Sequence, residues 1–263
     1  MDRGSQSARM VMPVRPGVEV GALSDVGCHR ENNEDRYSYW EPASDEEFAR
    51  RGRLAILADG MGGYEGGQEA SRIAVETIEK VYADSEESGP RAWLAAGFRA
   101  AHQRILQHAV AHPEFRGMGT TCTAVAVLGS QLYYAHVGDS RLYLCQEAKI
   151  YRLTRDHSYV GRLVEQGIVS PAEAASHPQR HILTAALGAG AEVSPESPEE
   201  PISLGPGDGV VLCTDGLWSL VSEAEIADAL AAGGVQDACA RLVNLARQRG
   251  GPDNITVQIL RMG

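Results

Sequence analysis

Hydrophobic positions change their period several times along the chain. Val18, Val20 and Ala22 alternate with other residues, which predicts a strand over 18–24. Leu54-Ala55-Ile56-Leu57 is an unbroken apolar run, so a buried strand is expected over 53–58, stopping at Asp59-Gly60. The period then lengthens. Ala70, Ile73, Ala74, Ile78 and Val81 fall at steps of three and four, with Glu69, Arg72, Glu76, Glu79 and Lys80 elsewhere, so 68–83 reads as an amphipathic helix. Residues 90–111 read as a second helix, rich in alanine, with Trp93, Leu94, Phe98, Ile105 and Leu106 on its apolar side.

Strand patterns return at 121–128 and 132–137, separated by Gly129-Ser130, a two-residue hairpin turn with glycine first. Gly138-Asp139-Ser140 turns the chain again into 141–145, and the three segments predict an antiparallel meander. The stretch from 157 to about 190 is more polar and is expected to lie over the core as a flap. Within it Ser170-Pro171-Ala172-Glu173 is a capping box with proline at the first helical position. Residues 194–201 form a short loop rich in proline and glutamate. A buried strand at 210–213 runs into Asp215-Gly216, a second capping box at Ser222 and Glu225 opens a helix, another helix spans 235–249, and a last strand spans 255–260. Grouped antiparallel strands with helices in pairs predict an α+β fold of sheets packed face to face under helices. Residues 1–15 read as a flexible tail and 16–263 as a single domain.

Composition narrows the function classes. A chain of 263 residues, 43% hydrophobic and 22% charged, buries a sizeable core without disulfides. Its net charge of -11 argues against nucleic acid or anionic membrane as partner. The five cysteines (Cys28, Cys122, Cys145, Cys213, Cys239) make no C-x-x-C pair and read as reduced core residues. No signal-like run opens the chain and no segment reaches membrane-spanning length, so a cytoplasmic protein is expected.

The informative pattern is where the acids fall. Asp35 follows Asn33-Glu34, Asp59 and Asp215 each close a buried strand before a glycine, Asp139 sits in a turn, and Asp253 precedes the final strand. Any one Asp-Gly pair can be an ordinary turn. Strand ends brought together would instead cluster carboxylates that repel one another and need protons or a cation. Hard oxygen ligands select magnesium, manganese or calcium. Two such ions about 3.5–4 Å apart suit phosphoester hydrolysis.

The ordered motifs carry a resemblance. They are Ser24-Asp25-Val26-Gly27 through Arg30 to Asn33-Glu34-Asp35, Ala58-Asp59-Gly60-Met61-Gly62-Gly63, Gly119-Thr120-Thr121, His136-Val137-Gly138-Asp139-Ser140-Arg141, Leu153-Thr154-Arg155-Asp156-His157-Ser158, Leu183-Thr184-Ala185-Ala186-Leu187-Gly188, Cys213-Thr214-Asp215-Gly216-Leu217 and Gly251-Pro252-Asp253-Asn254-Ile255-Thr256. From about residue 20 to the end, the chain resembles the bacterial metal-dependent serine/threonine protein phosphatases of type 2C. The resemblance implies a four-layer α/β/β/α sandwich, two antiparallel sheets flanked by paired helices, with two manganese or magnesium ions at one end. It implies that Asp59 bridges the ions, with the Gly60 carbonyl and Asp35 on one side and Asp215 and Asp253 on the other. Glu34 would hydrogen-bond metal-bound water, Asp139 with Asp215 would hold a weaker third ion, and Arg30 would clamp the substrate phosphate. The implied reaction is in-line attack on phosphoserine or phosphothreonine by a hydroxide bridging the ions, without a phosphoenzyme. The implied setting is a monomer acting on phosphoproteins, opposing a serine/threonine kinase.

The chain departs from the family pattern in places. Met61 follows the Asp59-Gly60 pair where animal members carry a histidine, Asn32 stands where many relatives have histidine, and Arg36 follows Asp35 where a small residue is usual. Arg36 is expected to face solvent. His157 is expected in a structural hydrogen bond, and His102, His108 and His112 lack partner acids for a metal site. Two other readings remain open at this point, a binding module that keeps the fold and a hydrolase of small phosphate esters.

Overall fold

The computed structural model describes residues 15–62, 65–147 and 149–263. Its strands are Val18–Asp25 (β1), Asp35–Trp40 (β2), Arg53–Met61 (β3), Gly119–Thr120 (β4), Cys122–Leu128 (β5), Gln131–Val137 (β6), Arg141–Gln146 (β7), Lys149–Arg152 (β8), Ile202–Ser203 (β9), Gly209–Cys213 (β10) and Ile255–Met262 (β11). Its helices are Asp45–Arg51 (α1), Gly66–Asp84 (α2), Pro90–Ala111 (α3), Tyr159–Glu165 (α4), Pro171–Ala175 (α5), Asp215–Trp218 (α6), Glu223–Ala231 (α7) and Val235–Gln248 (α8). One antiparallel sheet has the order β1-β11-β10-β7-β8; the other runs β2-β3-β5-β6-β9, with β4 paired to the end of β3.

The two sheets pack face to face. Leu57, Val125 and Leu132 from one meet Leu142, Val210 and Leu212 from the other. Ile73 and Ile78 of α2 and Phe98 of α3 cover the outer face of the β3 sheet over Ile56 and Ala58. Ile226 of α7 and Leu242 of α8 cover Val211 and Val257 on the opposite side. The four-layer α/β/β/α sandwich expected from the sequence is therefore present. It also explains the unbroken apolar run in β3. Leu54, Ile56 and Ala58 pack towards the helices while Ala55 and Leu57 pack towards the facing sheet, so neither face of the strand meets water. The same alternation turns the next residue in line, Asp59, towards the space between the sheets.

One expectation fails in an instructive way. Residues 121–145 do not make a meander. β5 and β6 pair through the expected two-residue turn, with Gly129 at φ +60°. β7, however, pairs with β10 and β8 in the other sheet. Gly138-Asp139-Ser140 is a crossover between sheets, and Asp139 stands where they meet. β3 also runs past Asp59 to Met61, because Gly60 and Met61 pair with Thr120 and Gly119 of β4.

Both predicted capping boxes form, Ser170 with Glu173 and Ser222 with Glu225. The flap segment carries α4 and α5 and returns to the body through bridges Ser158↔Leu183 and Thr120↔Leu187. Residues 1–14 of the expected tail lie outside the described residues. Arg15, the last residue assigned to it, donates its backbone N–H to Glu41 Oε1 at 2.7 Å. Cys122, Cys213 and Cys239 are buried and free, Cys145 is half-buried, and Cys28 is exposed. Among the described residues no helix is long and apolar enough to cross a membrane.

Candidate metal centre

At one end of the sandwich the two sheets deliver their acids to a single place. Asp35 on β2 lies directly opposite Asp59 on β3. Asp215 opens α6 straight after β10, and Asp253 precedes β11. Asp139 arrives on the crossover. Burial drives the Asp59 carboxyl well above its usual range, and Asp35, Asp215, Asp139 and Asp253 add repulsion in that order. Burial likewise pushes Asp139 up to about 8, with Asp215 the first charge to add to it. Asp35 is pushed up to about 7, mostly by burial, although hydrogen bonds from Thr256 and Thr214 pull the other way.

Backbone around these acids is held by short polar contacts. The Thr121 N–H and the Thr120 hydroxyl both donate to Asp59 O, at 2.9 and 2.8 Å. Asn254 donates to the Val26 and Asn32 carbonyls and accepts from the Glu34 N–H, which ties the Arg30-to-Asp35 loop to the Asp253 loop. The glycines after Asp59 and Asp215 are not turn residues. Neither has positive φ. A Cβ on Gly60 would stand 2.1 Å from the Gly67 carbonyl oxygen, and one on Gly216 would stand 1.9 Å from that of Asn254. Each glycine is required by close approach of another backbone segment.

Asp35 shows a division of labour between its oxygens. Oδ2 accepts from Thr214, which follows β10, at 3.0 Å and from Thr256 of β11 at 2.6 Å. Oδ1 is buried and has no hydrogen-bond partner. A buried carboxylate oxygen without a donor costs free energy unless a cation or water meets it. This orphaned oxygen, the mutual repulsion of the acids and a donor set made only of hard oxygens all fit divalent cations of the magnesium or manganese kind.

Glu34 and Arg30 sit at the rim. The Glu34 carboxylate lies against Gly67 at the start of α2, whose backbone amide favours its charged form, and Glu65 at the N-cap makes no side-chain capping bond there. The carboxylate thus meets the positive end of that helix. Burial still raises its pKa. Arg30, half exposed, donates from Nη2 to Asp253 Oδ2 at 2.9 Å. Arg36 is exposed, as expected, and Gly63 lies outside the described residues.

Two residues not singled out from the sequence as site groups join these acids. His181 in the flap brings Nδ1 to 3.8 Å from Asp215 Oδ2. Trp218 donates its indole N–H to the Asp139 carbonyl at 2.9 Å, and its ring packs 3.5 Å from the Arg141 guanidinium, which is itself paired with Asp156. The only sequence signal for either was nearness to a quoted motif. His157 is structural, as expected: its Nδ1 accepts from the Gly138 N–H at 3.2 Å. His102 likewise accepts from Gly188.

Comparison with known proteins agrees with this architecture. The family model described as Protein phosphatase 2C matches residues 30–253. Protein phosphatase PhpP of Streptococcus pneumoniae is 36% identical over 251 residues, covering 93% of this chain and 98% of that protein. The serine/threonine phosphatase structure from S. agalactiae superposes with a TM-score of 0.85 at 35% identity, over 94% of this chain and all of that one (100%). The catalytic domain of the serine threonine protein phosphatase PstP, solved in complex with two manganese ions, gives 0.80 at 35% identity, over 93% of this chain and 98% of that one. A family match over most of the length, on a fold that gathers the matched acids at one end, shows that the chain belongs to the protein phosphatase 2C family, among its bacterial serine/threonine phosphatases.

Proposed function

We propose that the chain hydrolyses phosphoserine and phosphothreonine in proteins with two divalent cations, manganese or magnesium, and so opposes a serine/threonine kinase. The observation that carries this reading is the convergence of Asp35, Asp59, Asp139, Asp215 and Asp253, where burial first, and then repulsion from the neighbouring acids, raises the proton affinity of Asp35, Asp59 and Asp139. Asp59, repelled by all the others, would be held in common by two ions. Asp35, with its unpartnered Oδ1, and the Gly60 carbonyl would help hold one, Asp215 and Asp253 the other, and Asp139 with Asp215 would hold a weaker third. When bound, such cations would activate water as the nucleophile and neutralise charge developing on the phosphate.

The chain's own residues then have defined tasks. Arg30, beside Asp253, presents a planar fork to phosphate oxygens at the rim. Glu34, anchored on the α2 N-terminus, orients water at the same edge. Cysteine nucleophiles are disfavoured. Cys122 and Cys213 are fully buried, and burial pushes the Cys213 thiol up to about 12. The test is hydrolysis of a phosphothreonyl peptide with manganese, with magnesium and with chelator. Cation-dependent phosphate release, lost in Asp215→Asn, is expected. A folded protein that releases no phosphate with either ion would move the reading to a binding module.

Gly67→Ala probes Glu34 without touching it. The added Cβ would lie 2.6 Å from the Glu34 carboxyl carbon and 2.7 Å from Oε1. The carboxylate must move, whereas alanine suits the first turn of a helix by up to about 1 kcal/mol. The melting temperature is expected to hold while kcat/KM falls on the order of 10- to 100-fold. Wild-type turnover in this variant would remove Glu34 from the reaction.

A further inference from the structure

The Gly138-Asp139 crossover belongs to no ladder, yet it must hold a carboxylate in place between two sheets. Its backbone groups are satisfied from outside. The His157 N–H donates to Gly138 O at 2.7 Å, and the Gly138 N–H donates back to His157 Nδ1 at 3.2 Å. One residue therefore satisfies both main-chain groups of Gly138. Because Nδ1 accepts, the imidazole proton sits on Nε2. That nitrogen lies 3.4 Å from Glu196 Oε2. Glu196 comes from the 194–201 loop, to which the sequence attached no role. Its main chain is stitched to β6 through reciprocal bonds with His136, at 2.9 and 2.8 Å, and its Oε2 also accepts from the Arg155 N–H.

His136, His157 and Glu196 lie close enough to suggest a metal site of their own. The hydrogen bonds argue otherwise. His136 Nε2 faces the Gly138 and Arg155 carbonyls at 3.0 and 3.1 Å and must carry the proton, while Nδ1 is engaged by Thr123 at 2.8 Å. Neither nitrogen has a free lone pair to offer. The arrangement is instead a carboxylate orienting an imidazole, which in turn fixes a backbone.

We propose that Glu196 and His157 are positioning residues that fix the Gly138-Asp139 crossover, and with it the third cation site formed by Asp139 and Asp215. This rests on the metal-dependent reading above. Outer-shell partners of this kind hold ligands in their binding geometry, and their loss costs metal affinity more than fold.

Calorimetric titration of chelator-treated protein with manganese separates tight from weak sites, and circular dichroism verifies that each variant is folded. His157→Leu is expected to weaken the weakest site at least about 10-fold while leaving the two tight sites within about threefold. Glu196→Ala, which keeps the imidazole, is expected to weaken the same site by a smaller factor. His157→Asn places an amide oxygen where Nδ1 stood and can still accept from Gly138, so it should recover most of the affinity. Unchanged weak-site affinity in folded His157→Leu and Glu196→Ala would overturn the proposal, as would equal weakening of all sites or an asparagine variant no better than leucine. A wild-type chain that binds no manganese would instead sink the metal-dependent reading itself, and the positioning role with it.

Discussion

Asp59→Asn is expected to lower manganese-dependent phosphopeptide hydrolysis by at least about 10³-fold, roughly 4 kcal/mol of barrier, while stabilising the metal-free protein. The two halves of this result come from one cause. Asp59 is repelled by each of the other four acids. In a loaded site that field would be matched by cations, and an amide cannot bridge two of them. In the metal-free protein the same field is an uncompensated cost, and a neutral amide of nearly equal shape removes it. The measurements are initial rates at saturating manganese and melting temperatures in chelator at pH 8. A variant that loses activity and melts lower would point to a packing role for Asp59. One that keeps its turnover would place the cations elsewhere.

How much of this was legible in the sequence depends on where each signal lies. β3 and β10 could be read because both of their faces are covered, which leaves apolar runs with no polar interruption. β2 could not. It is an edge strand, it begins at Asp35, and its Arg36, Tyr37 and Ser38 face solvent or are only half-buried. The crossover at Gly138 was misread because a glycine-aspartate-serine turn looks the same whether the chain returns to its own sheet or passes to the facing one. Pairing of β7 with β10 is a tertiary fact that no local window contains. The acids themselves were found through ordered motifs. What holds them was not: Thr214 and Thr256 reach Asp35 across the gap between sheets, from positions 179 and 221 residues away in sequence. Glycines 60 and 216 were visible as Asp-Gly pairs, but their reason is the approach of another backbone rather than a turn.

The stability of the metal-free protein is expected to fall as pH rises from 6.5 to 8.5, and manganese is expected to remove that fall. Asp35 and Asp139 titrate at about 7 and about 8 in the fold, against 3.8 when exposed. A carboxyl with a raised folded pKa binds its proton more tightly in the folded state. Its contribution is fully present below about pH 4 and is lost as pH passes through 7 and 8. Asp59, raised well above its ordinary value by burial, and His181, raised by its contact with Asp215, act in the same direction as pH rises. His136 is buried and neutral, with its pKa pushed down to about 4, so it destabilises the fold only when pH falls below 6.5. Loss of the two protons is worth on the order of 2 kcal/mol, or about 4–8 °C for a chain of this size. Cations compete with protons for the same oxygens, so a hundredfold excess over Kd should add about 2.7 kcal/mol and flatten the profile. Differential scanning calorimetry in chelator and in manganese measures both curves. A chelated protein whose melting temperature is level from pH 6.5 to 8.5 would mean that Asp35 and Asp139 are not held as buried, proton-binding carboxyls in the metal-free fold.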